Sequence, residues 1–294
     1  MAILQNDIKY HGHTCLQAVG ECDITCCMPE LIMLGTGNAA VTQCYNTCFA
    51  IRNAESVFLV DAGGGNGILS QLDKAGIALR DIHHLFVTHT HTDHILGVVW
   101  VVRMIAQSMN SGKYTGCLQV YGHAEAMRVL ELICRSTLPG KVCAHFGKDI
   151  LFVELADGDS FDVAGLSARA FDIGSTKAQQ FGFAMQLPGG KRLTCLGDEP
   201  YNERAHDYAF GADWLLCEAF CLYEDRERFK PYEKHHSTAW DAGRLAAQLG
   251  VKNLLLYHTE DKTLATRRVR YADEAAQFFN GNIIVPDDLE LISL

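Results

Sequence analysis

The stretch Thr88-His89-Thr90-His91-Thr92-Asp93-His94 is the strongest fold signal in this sequence, and it directly follows an apolar run at residues 85–87. Reduced to its metal-binding side chains, it reads His-x-His-x-Asp-His. Imidazole and carboxylate are the ligands that zinc and its first-row neighbours prefer. Because alternate residues of an extended chain point to opposite sides, His89 and His91 face one way and the last two ligands face another. The stretch therefore predicts two adjacent metal ions, which can clamp both oxygens of a displacement reaction.

The composition is that of a globular protein with an acidic balance. Of the 294 residues, 48% are hydrophobic and 20% are charged, enough for one large α/β domain or two small ones. A formal net charge of −10 argues against a broad basic face for nucleic acid. We see no signal-peptide pattern, and the apolar run at residues 95–105 is too short to span a bilayer. We therefore expect no membrane association, a cytoplasmic location and free thiols for the 12 cysteines.

The chain is predicted to have a short extension and one domain. Residues 1–30 predict an irregular, cysteine-rich N-terminal extension, and residues 31–294 predict a single α/β domain with two sheets and helices outside. The extension has four cysteines that could bind a metal, although their spacing matches no paired Cys-x2-Cys site. These cysteines are Cys15, Cys22, Cys26 and Cys27.

Hydrophobic periodicity predicts where the secondary structure lies around the ligands. A strand at Leu85–Val87 ends at the His-rich stretch, and a helix follows from about His94 to Ser108. Thr238 begins a capping box that opens an apolar-faced helix, and Gly250 closes that helix. A helix around residues 272–279 and a final strand near residues 283–285 are predicted to complete the chain.

Three further candidate ligands also lie at predicted strand ends, where binding groups collect in α/β proteins. Asp61 follows Val57-Phe58-Leu59-Val60, Asp198 follows the strand at residues 193–196, and His258 follows the strand at residues 251–257.

Together these motifs resemble the metallo-β-lactamase superfamily, from about Leu31 to the C-terminus. The matching segments are Leu59-Val60-Asp61-Ala62-Gly63, the His89–His94 stretch, Leu196-Gly197-Asp198 and Leu255-Leu256-Tyr257-His258. The resemblance implies the four-layer αββα metallo-β-lactamase fold, with two mixed sheets sandwiched between helices. It also implies two divalent metal ions, with zinc expected and manganese or iron as alternatives.

The resemblance implies a role for each candidate ligand. His89 and His91 would hold the first ion, and Asp198 would bridge both ions. Asp93, His94 and His258 would hold the second ion, and Asp61 would orient a ligand histidine by accepting its ring N–H.

Three local segments narrow the resemblance to the ribonuclease Z branch of the superfamily. They are Gly35-Thr36-Gly37 with Tyr45-Asn46-Thr47, then Glu218-Ala219-Phe220, then His236-Ser237-Thr238. In that branch the corresponding Glu and His assist proton transfer, so Glu218 and His236 take that role here by resemblance. The same branch implies a homodimer.

The family's third motif, a histidine for the first ion, has no counterpart in this sequence. By position relative to Phe181-Gly182-Phe183, Gly174 stands where that histidine belongs. We therefore expect a weakened first site. The alternatives are compensation by Asp172, His123 or His145, or an engineered substitution at Gly174.

A second departure concerns the substrate. Ribonuclease Z proper has a flexible arm for transfer RNA between the third and fourth motifs, but only residues 175–197 are available here. Cys217 also replaces the His of that branch's His-Glu-Ala-Thr segment. Both departures argue against transfer RNA as the substrate.

The leading hypothesis is a metal-dependent hydrolase of a phosphodiester, either a small molecule or a nucleic acid. A metal-activated water would attack phosphorus, Asp93 would orient or deprotonate that water, and His236 with Glu218 would protonate the leaving oxygen. Lys177 would meet the anionic substrate. Two alternatives stay open, namely a hydrolase of a thioester, lactone or sulfate ester, and a catalytically weak binding protein with a damaged first site.

Overall fold

The computed structural model of the protein describes residues 28–294. Most of the predicted extension, including Cys15, Cys22, Cys26 and Cys27, lies outside the described residues. The domain boundary at residue 30 therefore stays a prediction. Within residues 28–294, no helix combines the length and the apolar character needed to cross a membrane.

Among residues 28–294, the first sheet contains seven strands and is mixed. Its strands are β1 (Glu30–Gly35), β2 (Cys48–Asn53), β3 (Ser56–Val60), β4 (Ile82–Phe86), β5 (Leu118–Gly122), β6 (Ile150–Glu154) and β14 (Glu290–Ser293). Their order across the sheet is β14-β1-β2-β3-β4-β5-β6. The pairs from β14 to β3 are antiparallel, and the pairs from β3 to β6 are parallel.

The second sheet repeats this plan. Its strands are β7 (Ser160–Val163), β8 (Leu166–Asp172), β9 (Phe181–Gln186), β10 (Arg192–Cys195), β11 (Trp214–Glu218), β12 (Asn253–Tyr257) and β13 (Asn282–Ile284). Their order is β13-β12-β11-β10-β9-β8-β7. The pairs from β7 to β10 are antiparallel, and the pairs from β10 to β13 are parallel.

In the described part of the chain, eight α-helices cover the outer faces of the sheets or lie in their connections. They are α1 (Gly67–Lys74), α2 (Thr92–Asn110), α3 (Ala124–Thr137), α4 (Gly140–Cys143), α5 (His206–Ala209), α6 (Arg226–Phe229), α7 (Ala239–Leu249) and α8 (Leu264–Ala275). Apolar residues of α1, α2 and α3 pack on the first sheet, and those of α7 and α8 pack on the second. The predicted four-layer αββα fold is therefore confirmed.

A core of aromatic side chains joins the two sheets. Phe183 of β9 meets Phe58 of β3 and Phe86 of β4 edge to face, with ring centroids 5.6 and 5.4 Å apart. Such edge-to-face pairs add to the stabilisation that comes from burying apolar area. Because β4 is fixed by this core, the His-rich stretch that follows it begins from a rigid position.

The prediction for the C-terminal part of the chain is wrong in two respects. The last helix is Leu264–Ala275 rather than residues 272–279, and β14 follows the strand that was expected to be the last. The buried face of α8 contains Arg267, which hides the apolar periodicity that the prediction relied on. Arg267 is buried because it donates to Thr36, Thr259 and the carbonyl of Pro286.

Sheet topology brings the candidate ligands to one edge. The strands β3, β4, β10, β11 and β12 each pair in parallel with a neighbour, so their carboxyl ends lie together within each sheet. Strands β2 and β9 run antiparallel to β3 and β10, so the residues just before them reach the same edges. The functional groups are therefore expected between the two sheet edges.

Helix α7 begins with the predicted capping box. The Thr238 hydroxyl accepts from the Asp241 backbone N–H, and the Asp241 carboxylate accepts from the Thr238 backbone N–H. We expect Thr238→Ala to lower the free energy of unfolding by about 1 kcal/mol, because it leaves a helix-terminal N–H without its partner. Urea denaturation would measure this. The exposed Thr137 at the end of α3 provides a control, and an equal loss for Thr137→Ala would contradict the assignment.

Candidate metal centre

Two groups of side chains come close enough to hold metal ions. One group is His89, His91 and Asp198, and the other is Asp93, His94 and His258. All six residues were predicted as ligands from the sequence, and within each group the possible ligand atoms lie within 4.8 Å of one another. His89 and His91 lie in the extended segment before α2, whereas Asp93 and His94 lie in the first turn of α2.

The two groups meet at one carboxylate oxygen. Asp198 Oδ2 lies 3.6 Å from His89 Nε2, 3.3 Å from His94 Nε2 and 3.5 Å from His258 Nε2. Asp198 is 4% exposed, so water does not screen these contacts. Its position between the groups is the one expected of a bridging ligand.

Asp61 fixes the orientation of His94. His94 Nδ1 donates to Asp61 Oδ2 at 2.7 Å, which turns His94 Nε2 toward Asp198. Helix α2 must approach the Asp61 turn closely for this contact, and Gly97 permits the approach. A Cβ on Gly97 would lie 1.7 Å from the carbonyl oxygen of Ala62.

Two threonines orient the other imidazoles in the same way. The Thr88 hydroxyl donates to Asp61 at 2.7 Å, so it can only accept from His89 Nδ1, 2.9 Å away. The Thr47 hydroxyl donates to the carbonyl of Gly37 and lies 3.2 Å from His258 Nδ1. Each contact leaves Nε2 of the ring free to bind an ion. Neither threonine could be predicted from the sequence, since hydroxyl groups carry no metal-ligand signal of their own.

The ring nitrogens of the histidines, one of them without a hydrogen-bond partner among the described residues, fit a divalent cation. His94 Nε2 is buried and has no hydrogen-bond partner within residues 28–294. His89 Nε2 and His91 Nδ1 face each other at 2.8 Å. Buried polar atoms are normally paired, so an unpaired ring nitrogen beside other converging ring nitrogens indicates a site built for an ion.

The electrostatics of the protein alone support this assignment. Burial lowers the pKa of His89 well below its usual value and that of His258 to about 3. Burial also disfavours a charged His94, but Asp61 and the other nearby carboxylates outweigh it and raise the pKa of His94 well above its usual value. In the metal-free protein, a proton on His94 thus balances the negative charge of the nearby carboxylates. A bound cation would replace that proton.

A second polar pair lies beside the metal groups. His236 Nδ1 and Glu218 Oε2 are 2.7 Å apart, and the Ser237 backbone N–H donates to Glu218 Oε1 at 2.7 Å. The ring centroids of His236 and His258 are 5.2 Å apart, which places the pair next to the second group. Burial lowers the pKa of His236 to about 4, and burial with the Asp198 charge raises the pKa of Glu218 well above its usual value. The pair can therefore hold one proton between its two members.

A cavity of about 210 Å³ opens beside this pair. Its walls include Leu196, Tyr201, Cys217 and Leu245, with Glu199 and His236 as polar groups. Cys217 thus lines the cavity at the position where the ribonuclease Z segment has its histidine.

The loop between β8 and β9 closes against this region. Lys177 Nζ lies 3.5 Å from Glu199 Oε1 and donates to the carbonyl of Lys234 at 2.9 Å. The structure therefore places the predicted substrate-binding lysine near the cavity but in contact with Glu199, a residue that the sequence analysis did not single out.

The structure does not bring Gly174 to the first metal group. A Cβ on Gly174 would have Asn202 and Arg204 as its nearest neighbours, and the φ of +74° disfavours any larger residue. The side chain that reaches His89 and Asp198 from this segment is Gln180. The prediction that the missing ligand belongs at Gly174 is therefore wrong. The spacing from Phe181-Gly182-Phe183 does not reveal the conformation of the loop.

The three residues proposed to compensate for the missing histidine also lie apart from both metal groups. Asp172 accepts from the Gly174 backbone N–H, His145 pairs with Asp149 at 2.7 Å, and His123 caps helix α3.

Comparison with known proteins gives the family. Residues 29–212 match the family model described as "Anti-Pycsar protein Apyc1". The chain belongs to this family. This family is narrower than the superfamily that the sequence motifs predict.

The chain is also similar to named relatives. It is 28% identical to Ribonuclease Z of Thermobifida fusca over 307 residues, covering 90% of this chain and 94% of that protein. The structure matches the metallo-β-lactamase fold protein YhfI from Bacillus subtilis with a TM-score of 0.70 and 17% identity, covering 90% of this chain and 99% of YhfI. It matches the short form of human tRNase Z with a TM-score of 0.69 and 20% identity, covering 90% and 98%. The predicted superfamily and ribonuclease Z-like branch are confirmed.

The lowered pKa of His258 predicts a pH-dependent stability of the metal-free protein. Between pH 7 and pH 5 an unfolded histidine gains its proton, whereas the buried His258, with a pKa of about 3, does not. The free energy of unfolding is therefore highest above the pKa of an unfolded histidine. It falls by about 2 kcal/mol from His258 alone as the pH drops to 5. Urea unfolding in the presence of a chelator should show that His258→Gln flattens this pH dependence. An unchanged slope would contradict the assigned pKa.

Proposed function

We propose that the protein is a metal-dependent hydrolase of phosphodiesters. The observation that carries the proposal is the convergence of three imidazole nitrogens on Asp198 Oδ2, next to the His236–Glu218 pair. Family membership and relatives named Ribonuclease Z support it.

The residues divide into those that would hold ions and those that would act on the substrate. His89, His91 and Asp198 would hold one ion, and Asp93, His94 and His258 would hold the other with Asp198 shared. When bound, such ions lower the pKa of water toward neutrality and neutralise charge on the phosphoryl oxygens.

The side chains around the ions would supply orientation and protons. Asp93 would orient the attacking water through the carboxylate oxygen that also faces His94, 3.3 Å away. His236, backed by Glu218, would donate the proton that the leaving oxygen needs. Lys177 would exchange its contact with Glu199 for a contact with the anionic substrate.

A small phosphodiester fits the described residues better than a folded RNA. Strands β9 and β10 are joined by a tight turn at Pro188–Gly190, so the segment has no arm to grip an RNA. The cavity beside His236 has about 210 Å³, which suits one small chemical group rather than a helix. RNA is the second candidate, because the curated relatives are named Ribonuclease Z.

The two other hypotheses from the sequence make different predictions. A thioester, lactone or sulfate ester hydrolase would cleave its own ester in a substrate panel and leave phosphodiesters intact. A catalytically weak binding protein would cleave none of them. Zinc as the metal, a homodimer and a cytoplasmic location stay predictions.

We expect Asp198→Ala to abolish most hydrolysis of bis(p-nitrophenyl) phosphate, by more than roughly 100-fold, because both metal groups lose their shared ligand. Release of p-nitrophenol from the metal-loaded protein measures this. Asp73→Ala, on the exposed face of α1, is the matched control. Equal activity of the wild type and Asp198→Ala would refute the proposal.

Asp61→Asn tests the orientation of His94 separately. The amide keeps the shape of the carboxylate but loses one of the acceptors that hold His94 Nδ1 and Thr88. We expect the affinity for zinc to fall by roughly 10–100-fold. Competition with a chromophoric chelator provides the measurement, with Asp73→Asn as the control. Unaltered zinc affinity would mean that Asp61 does not position the ligand.

A further inference from the structure

Gln180 is a buried residue at the metal centre that the proposed roles leave unused. It directly precedes β9, and its side chain enters the site between the two sheets with 1% of its surface exposed. Gln180 Nε2 lies 2.5 Å from Asp198 Oδ1 and 3.0 Å from His89 Nδ1. Two members of the first metal group are therefore in contact with one amide.

The surrounding backbone accommodates this amide closely. Gly197 adopts a φ of +79°, and a Cβ there would lie 3.0 Å from Gln180 Cδ. The Phe181 backbone N–H donates to the carbonyl of Thr88, which ties the start of β9 to the His-rich stretch. The position of Gln180 is thus built into the site and is not that of a freely moving surface side chain.

The contacts of Gln180 differ from those of a ligand. Its Nε2 is an amide nitrogen, which donates to the Asp198 carboxylate and has no lone pair available for a metal ion. Its buried Oε1 has no partner within residues 28–294 and is the one atom of this side chain that could face an ion. Amide oxygen is a harder donor than imidazole and contributes little to zinc binding.

The two groups therefore offer different donor sets. The first has two imidazoles and a share of Asp198, whereas the second has two imidazoles, Asp93 and a share of Asp198. Ion affinity depends on the number and type of ligands, so the second group is the stronger of the two.

We propose that Gln180, standing where an imidazole could complete the first group, makes that group an exchangeable site. The protein then holds one ion firmly in the second group and binds the other ion weakly and reversibly. The occupancy of the first group, and with it the two-ion form of the site, follows the free metal concentration. This inference rests on the proposed metal-dependent function.

Counting bound zinc tests the inference without relying on activity. The full-length protein is stripped with a chelator, loaded with excess zinc, desalted and analysed by plasma mass spectrometry. We expect the wild type to retain one zinc and Gln180→His to retain two, because histidine has a reach similar to that of glutamine and adds a strong ligand. Calorimetric titration of the wild type with zinc should resolve two affinities that differ by roughly 10–100-fold or more.

Two further variants make the result specific. Gln180→Leu removes the amide without adding a ligand and should retain one zinc. Gly174→His places an imidazole at the position suggested by sequence spacing, but that position faces Asn202 and Arg204, so this variant should also retain one zinc. Circular dichroism of each variant checks that it is folded.

The outcomes separate the inference from the proposed function. Two zinc ions retained by the wild type, or one retained by a folded Gln180→His, would overturn the inference and leave the hydrolase proposal intact. No zinc retained by the wild type would also overturn the inference, while the hydrolase proposal is decided separately by the activity of Asp198→Ala. Retention of a second zinc by Gly174→His would assign the missing ligand to Gly174 and overturn the role of Gln180.

Discussion

The burial of the Asp198 carboxylate is the constraint on which the rest of the site depends. A charge removed from water needs compensation, and here the compensating nitrogens come from both sheets. His89 and His94 follow β4 of the first sheet, and His258 follows β12 of the second, as Asp198 itself follows β10. Burial nevertheless lowers the pKa of His89 and of His258, so these two imidazoles are neutral and supply no positive charge in the metal-free protein. The aromatic core between the sheets and the Asp61–His94 contact hold the geometry in which a cation can supply the missing charge.

The repeated plan of the two sheets explains which residues surround that carboxylate. In each sheet, with β14 as the exception, the antiparallel strands come before the parallel ones in the chain, and the ligands follow the parallel strands. Two residues that contact ligands lie just before antiparallel strands of the opposite sheet: Thr47 precedes β2 and contacts His258, and Gln180 precedes β9 and contacts His89. Two others, Asp61 and Thr88, follow β3 and β4 of the first sheet. Ligands and the residues that support them thus come from both sheets and meet between the two sheet edges.

This arrangement also explains how far sequence analysis could go. The six predicted ligands could be named because they are metal-binding residue types at the ends of apolar runs, and Thr238 with Asp241 followed the pattern of a capping box. Thr88, Thr47 and Gln180 are common residue types whose role depends on which strands are neighbours, and strand order is not visible in local periodicity. Spacing from Phe181-Gly182-Phe183 points to Gly174, but with its left-handed conformation a side chain there would face Asn202. The buried Arg267 similarly hid the true extent of α8, because its hydrogen bonds replace the apolar contacts that periodicity detects.

The contribution of both sheets to one carboxylate has a consequence for biosynthesis. A chain emerges from the ribosome with its amino end first, and the candidate ligands extend along the sequence from His89 to His258. The His-rich stretch emerges first and can form β4 and α2, but its imidazoles lack Asp198 until that residue has been made. The second group gains its second imidazole only with His258. On the proposed assignment, neither metal group can therefore be complete while only the first sheet has been synthesised.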